Sequence, residues 1–465
     1  MVETGQTPAA RSIGIPLGVA QITARLERLP YSSWHVRARV IVGVATFFDA
    51  FDALAIAYVL PALIGPWHLT PQRIGLLISV GYVGQLVGAI GFGWLAERIG
   101  RLRTTVLTIA TYAALSFLCA LSWDYTSLFV FRTLQGLGLG GEVPVAAAYI
   151  NEWAKAKGRG RFVLLYELIF PVGLVAAALL GFWIVPTFGW RYMFLIGALP
   201  AVLALVLRWL LPESPRWLAA KGRLEEADRI LSQVESIVSR GGKVALPPVQ
   251  AMPAVAAAEA TTCWGDLFRG IYLSRTLVVW VIWFASYFTT YGMTTWLPTL
   301  YRTIFKFPLP QALKYSLLIN VAGLAGTAAC ALLIDWTGRR TWFAMAFAGG
   351  GLSLGGLWYV GASDPRTVLL YASVSFFFIS SISLAVYLYT PEIYPTRMRA
   401  LGSSVASAWL RVASAIGPSV VGFTVGSYGL ANVFLVFGLI ALVGGVIAGL
   451  FGTETKGRVL EEVSP

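Results

Sequence analysis

Stretches of about twenty apolar residues recur along this 465-residue chain, and each is close to the length that an α-helix needs to cross a bilayer. Hydrophobic residues make up 57% of the chain and charged residues only 12%, about half the charged share of an average soluble protein. We predict twelve spans, numbered 1 to 12 in chain order, at residues 39–64, 73–96, 104–123, 127–151, 162–185, 191–211, 275–301, 313–335, 341–361, 367–390, 400–426 and 430–452. The sequence therefore predicts an all-α membrane protein.

The positive charge of the chain follows from membrane topology. The net charge is +13, which by itself would suit a nucleic-acid partner. However, most of the 35 lysines and arginines fall in the tails and the even-numbered loops. The odd-numbered loops hold only six, namely Arg73, Arg191, Arg302, Lys306, Lys314 and Arg366. This bias predicts cytoplasmic termini and a cytoplasmic loop after span 6, in a multi-pass protein of a cell membrane, expected to be the bacterial inner membrane, with no nucleic-acid partner.

Few residues of this chain are suited to metal or enzyme chemistry. Its three cysteines and two histidines are scattered, which gives no disulfide framework and no metal site. The sequence also lacks a recognisable arrangement of nucleophile and base. We therefore expect no enzyme activity, no metal and no cofactor.

Acidic motifs repeat between the two halves of the chain. Glu97 and Asp335 each precede Gly-Arg by three residues, directly after spans 2 and 8. Glu392 follows span 10 as Glu152 follows span 4, and Glu213 follows span 6 where the second half carries Thr453-Glu454. All three pairs are about 240 residues apart, which indicates an internal duplication.

The duplication predicts five segments. They are a cytoplasmic tail (1–38), a six-helix bundle (39–211), a cytoplasmic linker (212–274), a second six-helix bundle (275–452) and a cytoplasmic tail (453–465).

Motifs in this sequence resemble those of a known transporter superfamily. The loop 93–103 resembles the signature of the major facilitator superfamily, with Glu97 where Asp is usual. Residues 212–216 and 391–399 resemble its sugar-porter and organic-ion branch. The run 138–145 and the paired Asp49 and Asp52 resemble bacterial niacin and aromatic-acid proton symporters, and the synaptic-vesicle and organic-ion relatives. The resemblance implies twelve transmembrane helices in two six-helix bundles related by pseudo-two-fold symmetry.

Three buried acids are candidates for coupling transport to protons. An ionisable group deep in a span costs at least about 2.5 kcal/mol, so each one is a functional candidate. Asp49 and Asp52 lie three residues apart on one face of span 1, where two ionised carboxylates would repel each other. Glu142 in span 4 follows glycines that permit close helix packing, and should face the interior near span 1. Alternatively, any of the three forms a structural ion pair.

Two arginines lie within the spans. Arg411 is seven residues before Pro418 in span 11, and the resemblance implies an anion-binding role for Arg at this spacing in organic-ion transporters. Guanidinium binds a carboxylate through two parallel hydrogen bonds. The alternative is a buried pair with an aspartate of span 1. Arg132 in span 4 is either a partner of the acids or an interfacial residue.

An aromatic surface should lie beside Arg411. Trp283, Tyr287 and Tyr291 follow one another at every fourth residue of span 7, on one helical face. We add further candidates from spans 5, 8 and 10 to this substrate-binding set: Tyr166, Asn320 and Tyr387. Packing or lipid contact is the alternative for each aromatic residue.

Cytoplasmic charges should form latches that favour one state of the carrier. Their candidate residues are Glu97, Arg101, Glu167, Glu213, Asp335, Arg339, Glu392 and Arg399.

Together these features predict a secondary transporter that imports a small organic anion with protons by alternating access. An aromatic or heteroaromatic carboxylate, such as nicotinate or a benzoate-like acid, is the expected substrate. Protons and the lipid bilayer are the other expected partners, and the expected state is a monomer. A sugar or polyol porter, an organic-cation porter and a non-transporting receptor are the alternatives. The sugar alternative requires several amide or hydroxyl side chains in the central spans, and we expect these to be sparse.

Overall fold

Long helices account for most of the structure, a computed structural model that describes residues 18–155, 162, 165–166, 168–249 and 264–456. Eleven of the described helices are long and apolar enough to cross a membrane. Tyr125–Trp153, the predicted span 4, has the length of a span at 29 residues. It is less apolar because it carries Arg132, Gln135, Glu142 and four glycines. It packs against spans 2 and 3, so its polar groups are enclosed by protein.

The helices match the predicted spans with small shifts at their ends. Spans 1 to 6 are Ser33–Leu63, Pro71–Ile99, Arg101–Ala120, Tyr125–Trp153, Ile169–Thr187, and the pair Arg191–Gly197 and Pro200–Leu210. Spans 7 to 12 are Ile271–Thr303, Leu309–Thr337, Arg339–Val360, Pro365–Glu392, Thr396–Tyr428 and Leu430–Phe451. Span 6 is divided because Pro200, at the start of its second helix, lacks an N–H for the helical ladder. Span 1 begins at Ser33 because Ser32 and His35 form a capping box there.

Three short helices and one 3₁₀ turn lie outside the spans. Val19–Arg28 precedes span 1, while Pro215–Ala220, Leu224–Val238 and the 3₁₀ turn Trp264–Phe268 lie in the predicted linker. The second linker helix begins at Leu224, after Gly222, which has a positive φ of 75° and separates it from the first. Arg25 and Arg28 form salt bridges with Glu235, which join the first helix to the linker.

Among the described residues, the two halves meet mainly along three pairs of helices: spans 1 and 7, spans 2 and 11, and spans 5 and 8. Contacts between spans 2 and 11 lie toward the ends that the charge bias assigns to the outside. A β-carbon on Gly75 would lie 2.8 Å from the carbonyl oxygen of Pro418, and one on Gly422 would lie 2.5 Å from that of Pro71. Ser79 and Ser419 are hydrogen-bonded at 2.7 Å. The predicted outer ends of these spans are therefore closely packed.

Glycines bring spans 2 and 4 together inside the first half. A β-carbon on Gly136 would lie 2.2 Å from the carbonyl oxygen of Gly81, and one on Gly140 would lie 2.0 Å from that of Gln85. No other residue type fits these positions without a shift of backbone. The close packing predicted for the glycine run of span 4 is confirmed.

Candidate functional site

The side chain of Arg411, in the second half of the protein, reaches the first half. Its side chain is half-buried, and its Nη2 donates to the carbonyl of Gly140 in span 4 at 3.0 Å. Its Nε has no hydrogen-bond partner among the described residues. A guanidinium held by one neutral carbonyl keeps other N–H groups to donate, so Arg411 can bind an anion without breaking a salt bridge.

Asp49 lies in span 1, facing the second half. It is 5% exposed, and its Oδ1 has no hydrogen-bond partner among the described residues. Asp52 and Arg411 are its charged neighbours. In the described part of the chain, Asp49 and Arg411 form no salt bridge, so the alternative of an Asp–Arg pair is not seen for these two residues in this state.

Asp52 and Arg132 belong to a separate cluster within the first half. Ser116 Oγ donates to Asp52 Oδ1 at 3.2 Å. Arg132 Nη1 donates to the backbone carbonyl of Asp52 at 3.3 Å and to Gln135 Oε1 at 2.7 Å. Arg132 is only 2% exposed, which is inconsistent with the interfacial alternative. Arg132 is a partner of the acid-bearing helix.

Glu142 is fully buried and bonded to span 1, as the sequence predicted. Thr46 Oγ1 lies 3.1 Å from Glu142 Oε1, and the hydroxyls of Thr46 and Tyr166 lie 2.6 Å apart. Tyr166, a candidate substrate-binding residue, therefore lies in the hydrogen-bond network of Glu142. The adjacent candidate Glu167 lies outside the described residues.

Span 7 carries a stacked aromatic column. The rings of Trp283 and Tyr287 stack at 5.5 Å, and those of Tyr287 and Tyr291 stack at 5.9 Å. Tyr387 of span 10 meets Trp283 edge-on at 4.8 Å. Arg411 lies close enough to Tyr291, Tyr287 and Tyr387 for its charge to interact with their side chains. The structure thus brings the predicted aromatic residues together beside the arginine, where a flat anion could stack.

Hydroxyl side chains are more numerous in span 7 than we expected from the sequence. Seven serines and threonines are buried there, namely Thr276, Ser286, Thr289, Thr290, Thr294, Thr295 and Thr299. Two of them bond to their own helix, since Thr294 donates to the Thr290 carbonyl and Thr295 to that of Tyr291. The expectation that such groups are sparse was wrong for this helix.

Asn320 of span 8 also joins the halves. Its Nδ2 lies 3.3 Å from the hydroxyl of Tyr58 in span 1, and 2.9 Å from the carbonyl of Ser316 in its own helix. Both partners are protein groups, and the bond to Tyr58 joins the two halves.

Two equivalent charge clusters lie at the ends of the spans that the charge bias assigns to the cytoplasm. Arg101 pairs with Glu97 at 2.6 Å and with Glu152 at 2.9 Å. Arg339 pairs with Asp335 at 2.7 Å and with Glu392 at 3.2 Å. Each cluster joins residues of one half only.

Glu213 and Glu454 complete these clusters by capping helices. Glu213 Oε1 accepts from the backbone N–H of Arg101 at 3.0 Å, and Glu454 Oε1 accepts from that of Arg339 at 2.9 Å. Arg399 does not join either cluster, and its Nε has no hydrogen-bond partner in the described part of the chain.

Several polar residues that bond to the charge clusters, the buried acids or Arg132 were not predicted from the sequence. Glu152 and Glu454 were seen as repeats but not assigned to the latches. Thr46, Ser116 and Gln135, which bond to the buried acids or Arg132, were not singled out. The spacing offered a signal for two of them, because Thr46 precedes Asp49 by three residues and Gln135 follows Arg132 by three, on the same helical faces.

Known proteins share this fold and about a third of this sequence. The structure superimposes on the xylose transporter XylE from E. coli, in a partially occluded inward open conformation, with a TM-score of 0.71. That match covers 92% of this chain and 100% of the other at 20% identity, which supports the fold alone.

Relatives are found at higher identity. The niacin transporter NiaP of Acinetobacter baylyi is 32% identical over 95% of this chain and 99% of its own length. The putative niacin/nicotinamide transporter NiaP of Bacillus subtilis is 32% identical over 90% of this chain and 96% of its own. The family model "Sugar (and other) transporter" matches residues 43–465. The chain is thus a membrane transporter, not an enzyme, and it belongs to the sugar (and other) transporter family of the major facilitator superfamily.

Proposed function

We propose that this protein is a proton-coupled symporter that imports a small aromatic or heteroaromatic carboxylate, such as nicotinate. The observation that carries the proposal is Arg411, a guanidinium between the two halves that has no salt bridge among the described residues and lies beside the aromatic column. Its N–H groups suit a carboxylate, and the rings of Tyr287 and Tyr291 suit a flat ring. The similarity to niacin transporters supports the same substrate class.

Asp49 is the leading candidate for the proton carrier. It is buried, faces Arg411 and has a carboxylate oxygen without a partner among the described residues. A substrate carboxylate at Arg411 would bring a second negative charge near Asp49. Protonation of Asp49 removes that repulsion, so proton and anion binding favour each other. Asp52 and Glu142 are the other candidates. Ser116 bonds to Asp52 Oδ1, although Asp52 Oδ2 has no partner among the described residues, and Thr46 bonds to Glu142.

The packing of the halves supports an inward-facing state. Spans 2 and 11 are in contact toward their predicted outer ends, while each cytoplasmic charge cluster stays within one half. In this proposal the halves rock about the central site, and the clusters keep the cytoplasmic end of each half rigid. The protein would work as a monomer in a bacterial inner membrane, with both termini in the cytoplasm.

Uptake into proteoliposomes tests the proposal. Labelled nicotinate and benzoate should accumulate when the external pH is lower than the internal pH, and a protonophore should abolish the accumulation. Replacing sodium by potassium should have no effect. Uptake that follows sodium and ignores the proton gradient would contradict the coupling, and absence of any carboxylate uptake would contradict the substrate class.

The hydroxyls of span 7 favour a second candidate, a sugar or polyol porter. Thr290 lies 3.4 Å from Ser383 across spans 7 and 10, and Ser286 lies 3.0 Å from the same hydroxyl. Such groups can bind hydroxyl-rich substrates. A melting-shift screen of purified protein with aromatic acids, sugars and amines separates the candidates, since only the true substrate class should stabilise the folded protein.

A further inference from the structure

The partner of Arg411 is a backbone carbonyl whose usual helical donor is missing. In an α-helix the carbonyl of residue 140 accepts from the N–H of residue 144. Residue 144 is proline, which lies inside the helix Tyr125–Trp153 and has no N–H. The carbonyl of Gly140 instead accepts from Arg411 Nη2 at 3.0 Å.

This arrangement would be costly without Arg411. A buried carbonyl that has lost its helical partner carries the penalty of an unmade hydrogen bond, so it attracts any nearby donor. Residue 140 must itself be glycine, because a β-carbon there would lie 2.0 Å from the carbonyl oxygen of Gln85. Close packing and the missing N–H thus present one carbonyl to the opposite half of the protein.

We propose that Pro144 is a positioning residue for the substrate, acting through the Gly140 carbonyl and Arg411. The carbonyl occupies one donor of Nη2 and fixes the plane of the guanidinium. Nε, which has no partner among the described residues, then remains free to donate to a carboxylate. This inference rests on the proposed function, and it adds a residue that touches no substrate.

The test replaces Pro144 by alanine, which restores the N–H at residue 144. That N–H should compete with Arg411 for the Gly140 carbonyl, and the guanidinium should lose its fixed orientation. We expect the affinity of purified Pro144→Ala for nicotinate to fall about three- to ten-fold, the range for one net hydrogen bond. Pro186→Ala is the matched control: Pro186 also lies inside a span, and no side chain donates to the Phe182 carbonyl among the described residues.

A double-mutant cycle distinguishes positioning from a general effect on the fold. In an Arg411→Lys background the fixed guanidinium plane is already absent, so Pro144→Ala should cause little further loss. Equal losses in both backgrounds, or wild-type affinity in Pro144→Ala, would overturn the inference. If Pro144→Ala does not fold, Pro144→Gly restores the same N–H and takes its place in the cycle.

Failure of the proposed function can be distinguished experimentally from failure of this inference. If wild-type protein binds no aromatic carboxylate, the substrate assignment is wrong, and the role of Pro144 in substrate positioning falls with it. If the wild type binds nicotinate and Arg411→Ala does not, the substrate assignment stands, and the cycle alone decides the role of Pro144.

Discussion

Glu213 and Glu454 occupy equivalent places in the two halves of the protein. Each carboxylate accepts hydrogen bonds from the first backbone N–H groups of the helix that follows an acid-x-x-Gly-Arg loop. The loop glycines, Gly100 and Gly338, both have positive φ, and a β-carbon on either would lie within 2.5 Å of the capping carboxylate. The internal duplication therefore extends from the sequence to individual hydrogen bonds.

The cap at Glu454 should make stability depend on pH. Partial burial opposes ionisation of Glu454, but hydrogen bonds from the backbone N–H groups of Lys456, Arg339, Thr455 and Arg340 outweigh it and lower the pKa of its carboxyl. A carboxyl whose pKa is lowered by folding stabilises the protein above its unfolded pKa, and this contribution is lost as the pH falls through the folded value. Glu454→Gln should cost about 1 kcal/mol at pH 7, within the range for helix caps.

Melting curves from pH 7 to pH 4 check this expectation. The difference in melting temperature between wild type and Glu454→Gln should shrink as the pH falls. Glu225→Gln, at an exposed position of the linker helix, serves as the control and should match the wild type at pH 7. A difference that stays constant with pH would argue against the cap.

Substitutions in span 2 test the packing of spans 2 and 4. A β-carbon on Gly88 would lie 2.0 Å from the carbonyl oxygen of Leu137, whereas one on Gly91 would meet nothing within 4 Å. Gly88→Ala should therefore destabilise the protein by about 1–3 kcal/mol, as overpacking does. Gly91→Ala, in the same helix, should be neutral. Thermal unfolding in one detergent compares the two, and equal stabilities would contradict the close approach.

The cytoplasmic clusters should affect the rate of transport and leave substrate affinity unchanged. Among the described residues, Arg101 and Arg339 form salt bridges within their own halves and none with the aromatic column. We expect Arg101→Ala and Arg339→Ala to lower the maximal uptake rate several-fold with an unaltered dissociation constant. Uptake kinetics and equilibrium binding on the same preparations separate these quantities. A matching fall in affinity would mean that the clusters shape the binding site itself.

Neutral variants of the three acids identify the proton carrier. The variants are Asp49→Asn, Asp52→Asn and Glu142→Gln. The one that neutralises the true coupling site should abolish gradient-driven accumulation. Exchange of labelled for unlabelled substrate should continue, because exchange needs no net proton movement. Both assays use the same proteoliposomes. If all three variants accumulate substrate normally, the coupling lies elsewhere, and Glu167 becomes the next candidate.

The sequence was most informative where physical requirements are local. Span length follows from bilayer thickness, so the spans were predictable. The glycines of span 4 and the aromatic spacing of span 7 fixed which faces pack or stack. The bond between Arg411 and Gly140 was not predictable, because it joins residues of different halves. The placement of Tyr166 beside Thr46 similarly depends on how spans 1 and 5 pack.

Arg411 is the residue on which the substrate assignment depends. A carboxylate at its guanidinium gains two charge-assisted hydrogen bonds, whereas lysine offers a point charge. Arg411→Lys should weaken nicotinate binding about ten-fold or more, in line with the 1.5–3 kcal/mol of a charged hydrogen bond.

The most direct measurement is the dissociation constant for nicotinate of folded, purified Arg411→Ala, compared with wild type and with Ser79→Ala. Ser79 bonds to Ser419 between the halves, so its variant controls for loss of a polar group there. We expect Arg411→Ala to insert in the membrane and fold but to lose nearly all nicotinate binding and transport. Wild-type affinity in Arg411→Ala would contradict the anion site and return the sugar and cation alternatives to consideration.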